Sequence, residues 1–133
     1  MTTWEYRGKP LEEVPEGADG FVYLITFKDG DFYVGRKNFY SVRRVKVKGR
    51  VNRKKVVKES DWKSYGSSSK IVKERIEEGE AHSKVILHLC ACKACTFYYE
   101  VYEQILRDVL CDPKALNANI LTKMFSCSKP MKL

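Results

Sequence analysis

The chain has 133 residues, with 25 Lys+Arg against 17 Asp+Glu and a formal net charge of +8. That length fits a single domain, expected over residues 1–133, that can bury a core without disulfide staples, and 44% hydrophobic with 12% aromatic content excludes a disordered chain. The charge excludes an acidic sequestering protein and points to a polyanionic partner. Its position says more: residues 36–58 hold eleven bases and no acid, which leaves the rest of the chain at −3, with 14 bases against 17 acids.

Residues 1–19, with Pro10, Pro15 and Gly17, read as an irregular lead-in and contain no apolar run of signal-peptide length. A strand is predicted over Phe21–Phe27, where aromatic and β-branched residues concentrate. Asp29-Gly30 supplies a tight turn, and Phe32–Arg36 is the return strand. In the basic segment, Val45, Val47 and Val51 alternate with Arg44, Lys46, Lys48 and Arg50. This period of two predicts a strand with one apolar and one cationic face. With Gly49 as the reversal, a basic two-stranded ribbon is expected over 44–58, and a disordered arm is the competing reading.

Farther along, Ser67–Ser69 can cap a helix running to Glu78, closed by Gly79. Ser83–Cys90 alternates as a third strand. Thr96 can cap a second helix reaching Leu110, with Tyr98, Val101, Tyr102, Ile105 and Val109 as its apolar stripe. A short helix over Ala115–Phe125 follows. The order predicts an α+β domain: a three-stranded, mainly antiparallel sheet flanked by helices, with the basic ribbon inserted. The longest apolar stretches, Phe21–Phe27 and Val85–Cys90, fall far short of the ~20 residues of a membrane helix. No membrane partner, a cytoplasmic location and reduced cysteines are therefore expected.

Two triplets, Phe21-Val22-Tyr23 and Tyr33-Val34-Gly35, sit on the two strands of the first hairpin. They resemble the Gly-Ile-Tyr and Tyr-Ile-Gly signature of the GIY-YIG nuclease superfamily, with Phe21 in place of the first glycine and Gly20 one position earlier. The resemblance continues in order along the chain, over about residues 20–120. Arg43, with Arg44 beside it, follows the second triplet as the family's arginine does, and Arg36 takes the place of the cation of the excision-repair branch. Tyr65-Gly66-Ser67-Ser68 is similar to the serine-containing turn of small phage-type members. Glu100 lies on the helix after the third strand, and Asn117 matches a late asparagine.

The resemblance implies a DNA endonuclease of phage or homing type that uses Mg²⁺ or a similar divalent cation such as Mn²⁺. Tyr23 would be the general base and Tyr33 would orient water or bind phosphate, with the two roles exchangeable. Arg43 would stabilise the pentacoordinate phosphorus, Arg36 would add a phosphate contact, and Glu100 would bind the metal. Glu103 is the rival metal ligand. Phosphodiester hydrolysis calls for these residue types: a base for water, forked donors for phosphate oxygens, and a carboxylate for a hard cation.

The ribbon reads as a DNA tracker through Arg44, Lys46, Lys48, Arg50, Arg53, Lys54 and Lys55, with Arg50 and Asn52 near its tip able to reach bases. Ser67 and Asn117 are further candidate contacts to nucleic acid. The expected partner is double-stranded DNA. No appended recognition domain is expected after residue 125, so target selection would come from the ribbon, a homodimer or another partner. A non-catalytic nucleic-acid-binding module on the same scaffold is the alternative. A third reading is a zinc-stabilised interaction protein: Cys90, Cys92 and Cys95 could join Cys111 or His88 as zinc ligands, although buried thiols explain this run more simply.

Overall fold

The computed structural model describes residues 2–120. Nine elements follow one another: β1 (Trp4–Tyr6), β2 (Lys9–Pro10), β3 (Gly20–Phe27), β4 (Phe32–Asn38), β5 (Tyr40–Val45), β6 (Lys54–Glu59), α1 (Lys70–Glu77), β7 (His82–Cys90) and α2 (Lys93–Leu106). The architecture is α+β, but the main sheet has five strands rather than the expected three, in the order β2-β1-β7-β3-β4. It is mixed, because β1 runs parallel to β7 while the other pairs are antiparallel. The added strands come from the segment read as an irregular lead-in. Arg7 and Gly8 both take positive φ, 52° and 81°, the left-handed pair that closes a two-residue hairpin.

At the centre, β3 is buried on both faces, which explains its nearly unbroken apolar run. Its alternation divides two cores. Phe21, Tyr23, Ile25 and Phe27 pack with Trp4, Phe39, Trp62 and Val72, whereas Val22 packs with Val34, Cys90, Cys95 and Val109. The β3–β4 turn forms at the expected Asp29-Gly30: Gly30 has φ 96°, and Asp29 Oδ1 accepts from Asp31 N at 3.0 Å. Arg75 of α1 ties this turn down through Asp29, Asp31 and Glu80, at 2.8–2.9 Å.

The ribbon is a separate two-stranded sheet, made by β5 and β6. Its strands lie at 40–45 and 54–59, so Val47, Gly49 and Val51 belong to the connection and not to the pairing expected over 44–58. Helix α1 is capped by Ser69 and closes before Gly79, as expected. Helix α2 starts earlier, with Cys92 as its cap, and stops at Leu106, before the expected Leu110. Asp108 takes the left-handed position after it, φ 53°, where glycine is the usual signal.

The face of α2 is also reversed from its apolar stripe. Tyr98, Tyr102 and Ile105 are 49%, 45% and 64% exposed, while Thr96, Glu100, Glu103 and Gln104 are buried with Val101. Residues 115–120 form no helix. They run along β4, with a bridge from Ala115 to Phe32, and the remainder of the expected 115–125 helix lies outside the described residues.

Candidate active site

The geometry of the site follows from β4 being an edge strand. Residues on its two faces can both reach around the open edge: Tyr33 and Gly35 belong to the face shared with Tyr23, while Val34 and Arg36 belong to the face covered by α2. Around this edge lies a cavity of about 440 Å³ lined by Tyr33, Arg36, Ser68, Glu100, Gln104 and Asn117, among others. The first part of the edge is closed by the chain following α2. Leu116 N donates to Phe32 O at 2.8 Å, and the Asn117 amide spans Val34, accepting from its N at 3.1 Å and donating to its O at 2.8 Å. Asn117 therefore acts as a clamp on the strand that carries Tyr33 and Arg36.

Tyr23 and Tyr33 come together, with ring centroids 6.2 Å apart, and Tyr65 joins them 6.0 Å from Tyr23. The Tyr23 ring passes over Gly35, its cross-strand neighbour. A Cβ at Gly35 would stand 2.4 Å from the Tyr23 hydroxyl and 2.9 Å from Tyr33 Cε1, so this glycine is set by close approach and not by backbone angle. Tyr23 is fully buried and donates to Ser67 Oγ at 3.2 Å. Ser67, also fully buried, holds a left-handed φ of 102° and accepts from Ser69 N at 3.1 Å.

Burial pushes the Tyr23 phenol well above its ordinary pKa, with Tyr65 adding to the effect. Tyr33 is also raised, first by burial and, less strongly, by the Glu100 carboxylate, against an opposing hydrogen bond from Ser68. Of the two tyrosines, Tyr33 lines the cavity.

Opposite it, Arg36 Nη1 donates to Glu100 Oε1 at 2.7 Å, and the guanidinium lies 4.3 Å over the Phe97 ring. The Glu100 side chain is only 8% exposed. Glu103, the rival, is turned away: His88 Nε2 donates to it at 2.6 Å, and Arg107 also holds it. Burial keeps His88 below its usual pKa, so this contact is the neutral imidazole donating to the carboxylate.

A divalent cation fits the cavity residues. Glu100 offers a carboxylate, and the buried Gln104 Oε1 beside it has no hydrogen-bond donor among the described residues. No group of three His, Cys, Asp or Glu gathers among the described residues. One carboxylate with neutral oxygens suits a hard cation that keeps several waters. The cysteine run assembles no such group: Cys92 Sγ caps α2 by accepting from Cys95 N at 3.5 Å. Cys95 is disulfide-bonded, a departure from the expectation of reduced thiols throughout.

A second cavity of about 670 Å³ adjoins the first and shares Arg36, Ser68 and Glu100 with it. Its far wall is the ribbon. Arg43 lines neither cavity; it is exposed on β5, on the face opposite Val42 and Val57, which do line the second one. Arg44, Lys46, Lys48, Arg50, Asn52, Arg53, Lys54 and Lys55 are all on the ribbon and exposed, and of these only Lys55 lines a cavity. Three residues given no site role from the sequence also belong here: Lys37, which pairs with Asp61 at 2.8 Å and lies 4.3 Å over Tyr65, Tyr65 itself, and Gln104. The placement of Tyr65 directly before Gly66-Ser67-Ser68 was the available signal.

Residues 4–120 match the family described as "Putative endonuclease segE, GIY-YIG domain". The chain is also similar to Intron-associated endonuclease 2 of Enterobacteria phage T4, at 34% identity over 61 residues. That match covers 46% of this chain and 19% of the relative, so the chain spans about a fifth of the length of the curated protein it matches. No solved structure matches it.

Proposed function

The chain belongs to the segE-type GIY-YIG endonuclease family, and from that premise we propose that it hydrolyses phosphodiester bonds in double-stranded DNA with the help of a divalent cation, as a single domain over residues 1–133. The observation that carries this reading is the convergence of Tyr33, Arg36 and Glu100 on one cavity at the edge of β4. Nucleases of this family are typically divalent-metal dependent. Glu100, with Gln104 Oε1 at its side, would hold Mg²⁺ or Mn²⁺, which when bound supplies positive charge for the extra negative charge on phosphorus and for the leaving oxygen.

Each protein group has a role that its position supports. Arg36 turns its forked donors from Glu100 to the phosphate oxygens, and the 2.7 Å pair keeps it beside the phosphate site until then. Tyr33 reaches the cavity and takes the proton of the attacking water. Tyr23, buried and bonded to Ser67, fixes the Tyr33 ring from behind. This is the exchanged assignment of the two tyrosines. Arg36 takes the phosphorus-stabilising role in place of Arg43, which contacts DNA from the outer ribbon face.

The test is plasmid cleavage with Mg²⁺ and with EDTA, by wild type, Tyr33→Phe and Glu100→Gln. Metal-dependent nicking or cutting is expected, falling about 10²–10⁴-fold in Tyr33→Phe. Both tyrosines lose their proton above the ordinary tyrosine range in the free protein. The rate should therefore rise about tenfold per pH unit through neutrality, as the small deprotonated fraction grows, and this slope should flatten in Tyr33→Phe. An absence of metal-dependent cutting across supercoiled, linear and branched DNA would overturn the enzyme reading.

A further inference from the structure

The ribbon has two unequal faces. Strand alternation turns Tyr40, Val42 and Val57 toward the 670 Å³ cavity, together with Lys55, and sends Arg43, Val56 and Lys58 outward. Facing the ribbon across the cavity are the end of β4, with Arg36 and Lys37, and the first residue of α2, Lys93. Lys55 and Lys93 form no ion pair among the described residues, so two uncompensated cations stand on opposite walls. The floor between them leads to the Arg36–Glu100 pair, which belongs to both cavities.

Resting on the nuclease reading above, we infer that this second cavity is a strand-binding subsite. It takes the nucleotides immediately flanking the scissile phosphate, gripping their phosphates with Lys55 and Lys93 and packing Tyr40 against their sugars or bases. A site for one small anion would cluster its donors at a point. Here the cations are divided between walls, with aromatic and valine surface beside Lys55 on the ribbon wall, which is the pattern of a groove that follows a nucleic-acid strand. The ribbon thus acts beside the cut through its inner face, in addition to whatever duplex its outer face and tip engage.

The experiment uses the full chain and a duplex of about 20 base pairs in EDTA, so that binding is read without cleavage. Lys55→Ala/Lys93→Ala is expected to bind at least about 10-fold more weakly than wild type and to reduce the salt slope by about two, the loss of two phosphate contacts. Photocrosslinking from Tyr40→p-azidophenylalanine is expected to label the DNA, with Arg43→p-azidophenylalanine in parallel as the outward-facing control. When Mg²⁺ is added to unirradiated samples, the labelled nucleotides should map next to the cut. Unchanged affinity in the lysine double variant, or labelling no stronger from position 40 than from position 43, would overturn the subsite. If crosslinking succeeds but Mg²⁺ produces no cutting, the nuclease reading fails while the strand site stands.

Discussion

Strand β3 and the β5–β6 ribbon are both antiparallel β-structure, yet they obey opposite rules. In β3 every side chain is buried or half-buried, between two cores. In the ribbon, eleven of the twelve paired residues are exposed, and Ser41 is the half-buried exception. Of the eleven cations in 36–58, only Arg36 and Lys37 form ion pairs among the described residues, and both sit on β4. A two-stranded ribbon without a packed face is marginal by itself, and like charges across its strands oppose it. Such a segment contributes little to the stability of the fold. Its charge is directed at something outside the chain, while the β3–β4 edge, held from both sides, supplies a fixed frame for chemistry.

This contrast can be broken from either side. The largest effect is expected from removing the ribbon. Deleting residues 45–57 leaves Ser41 paired with Lys58 around a short turn and takes away six of the eleven cations of 36–58. DNA affinity should fall about 10³-fold at moderate salt, with a much shallower salt dependence, while the melting temperature stays within a few degrees of wild type. Titrations at several salt concentrations, with a thermal melt, measure both; unchanged affinity or a collapsed fold would erase the distinction between the two regions.

A single methyl group on the rigid side should do the converse. In Gly35→Ala the new Cβ would stand 2.4 Å from the buried Tyr23 hydroxyl, and overpacking of this kind costs about 1–3 kcal/mol or more. Chemical denaturation should show that loss, and cleavage should fall with it because Tyr23 and Tyr33 are forced apart. DNA binding by the ribbon should persist.

The smallest effect tests the core by pH. Lys84 is buried between β1 and β3, with its ammonium 4.4 Å over Trp4, and burial lowers its pKa to about 8. The unfolded chain, with an ordinary lysine near pKa 10.4, binds more protons between those values, so stability rises with pH from about 8 to 10.4 and the burial penalty is full below 8. Lys84→Met removes the penalty but also a cation–π contact of about 0.5–1 kcal/mol. A net gain of about 1 kcal/mol is expected at pH 7, shrinking toward pH 10. Melts across that range check the sign.

Much of this contrast was readable before any coordinates. The apolar run of β3 and the Asp29-Gly30 turn mark the buried hairpin, because each pattern depends on neighbours in sequence, and the acid-free run of cations marks the exposed ribbon, whereas the valine–lysine alternation over 44–51 falls mostly in its connection. Strand β1 was not legible: three residues become a strand only by pairing with β7, some eighty positions away. The face of α2 was misread for a related reason. Periodicity takes Tyr98, Tyr102 and Ile105 for the core stripe, but β4 brings Arg36 and the Val34 carbonyl to the other side of the helix, and His88 brings a partner for Glu103. Polar residues with such partners can be buried in place of the apolar ones. Within the site, the tyrosines, Arg36 and Glu100 were singled out from the sequence and converge. Arg43 was singled out by spacing alone, and strand parity turns it outward.

The most direct test of this division is a comparison of binding and turnover in two variants, Glu100→Gln and the 45–57 deletion, with cleavage followed at saturating DNA and affinity in EDTA. The account predicts that Glu100→Gln keeps wild-type affinity within about threefold and loses cutting, whereas the deletion binds weakly but cuts, once saturated, within about tenfold of wild type. Cutting by Glu100→Gln at the wild-type rate, or full affinity in the deletion, would contradict it.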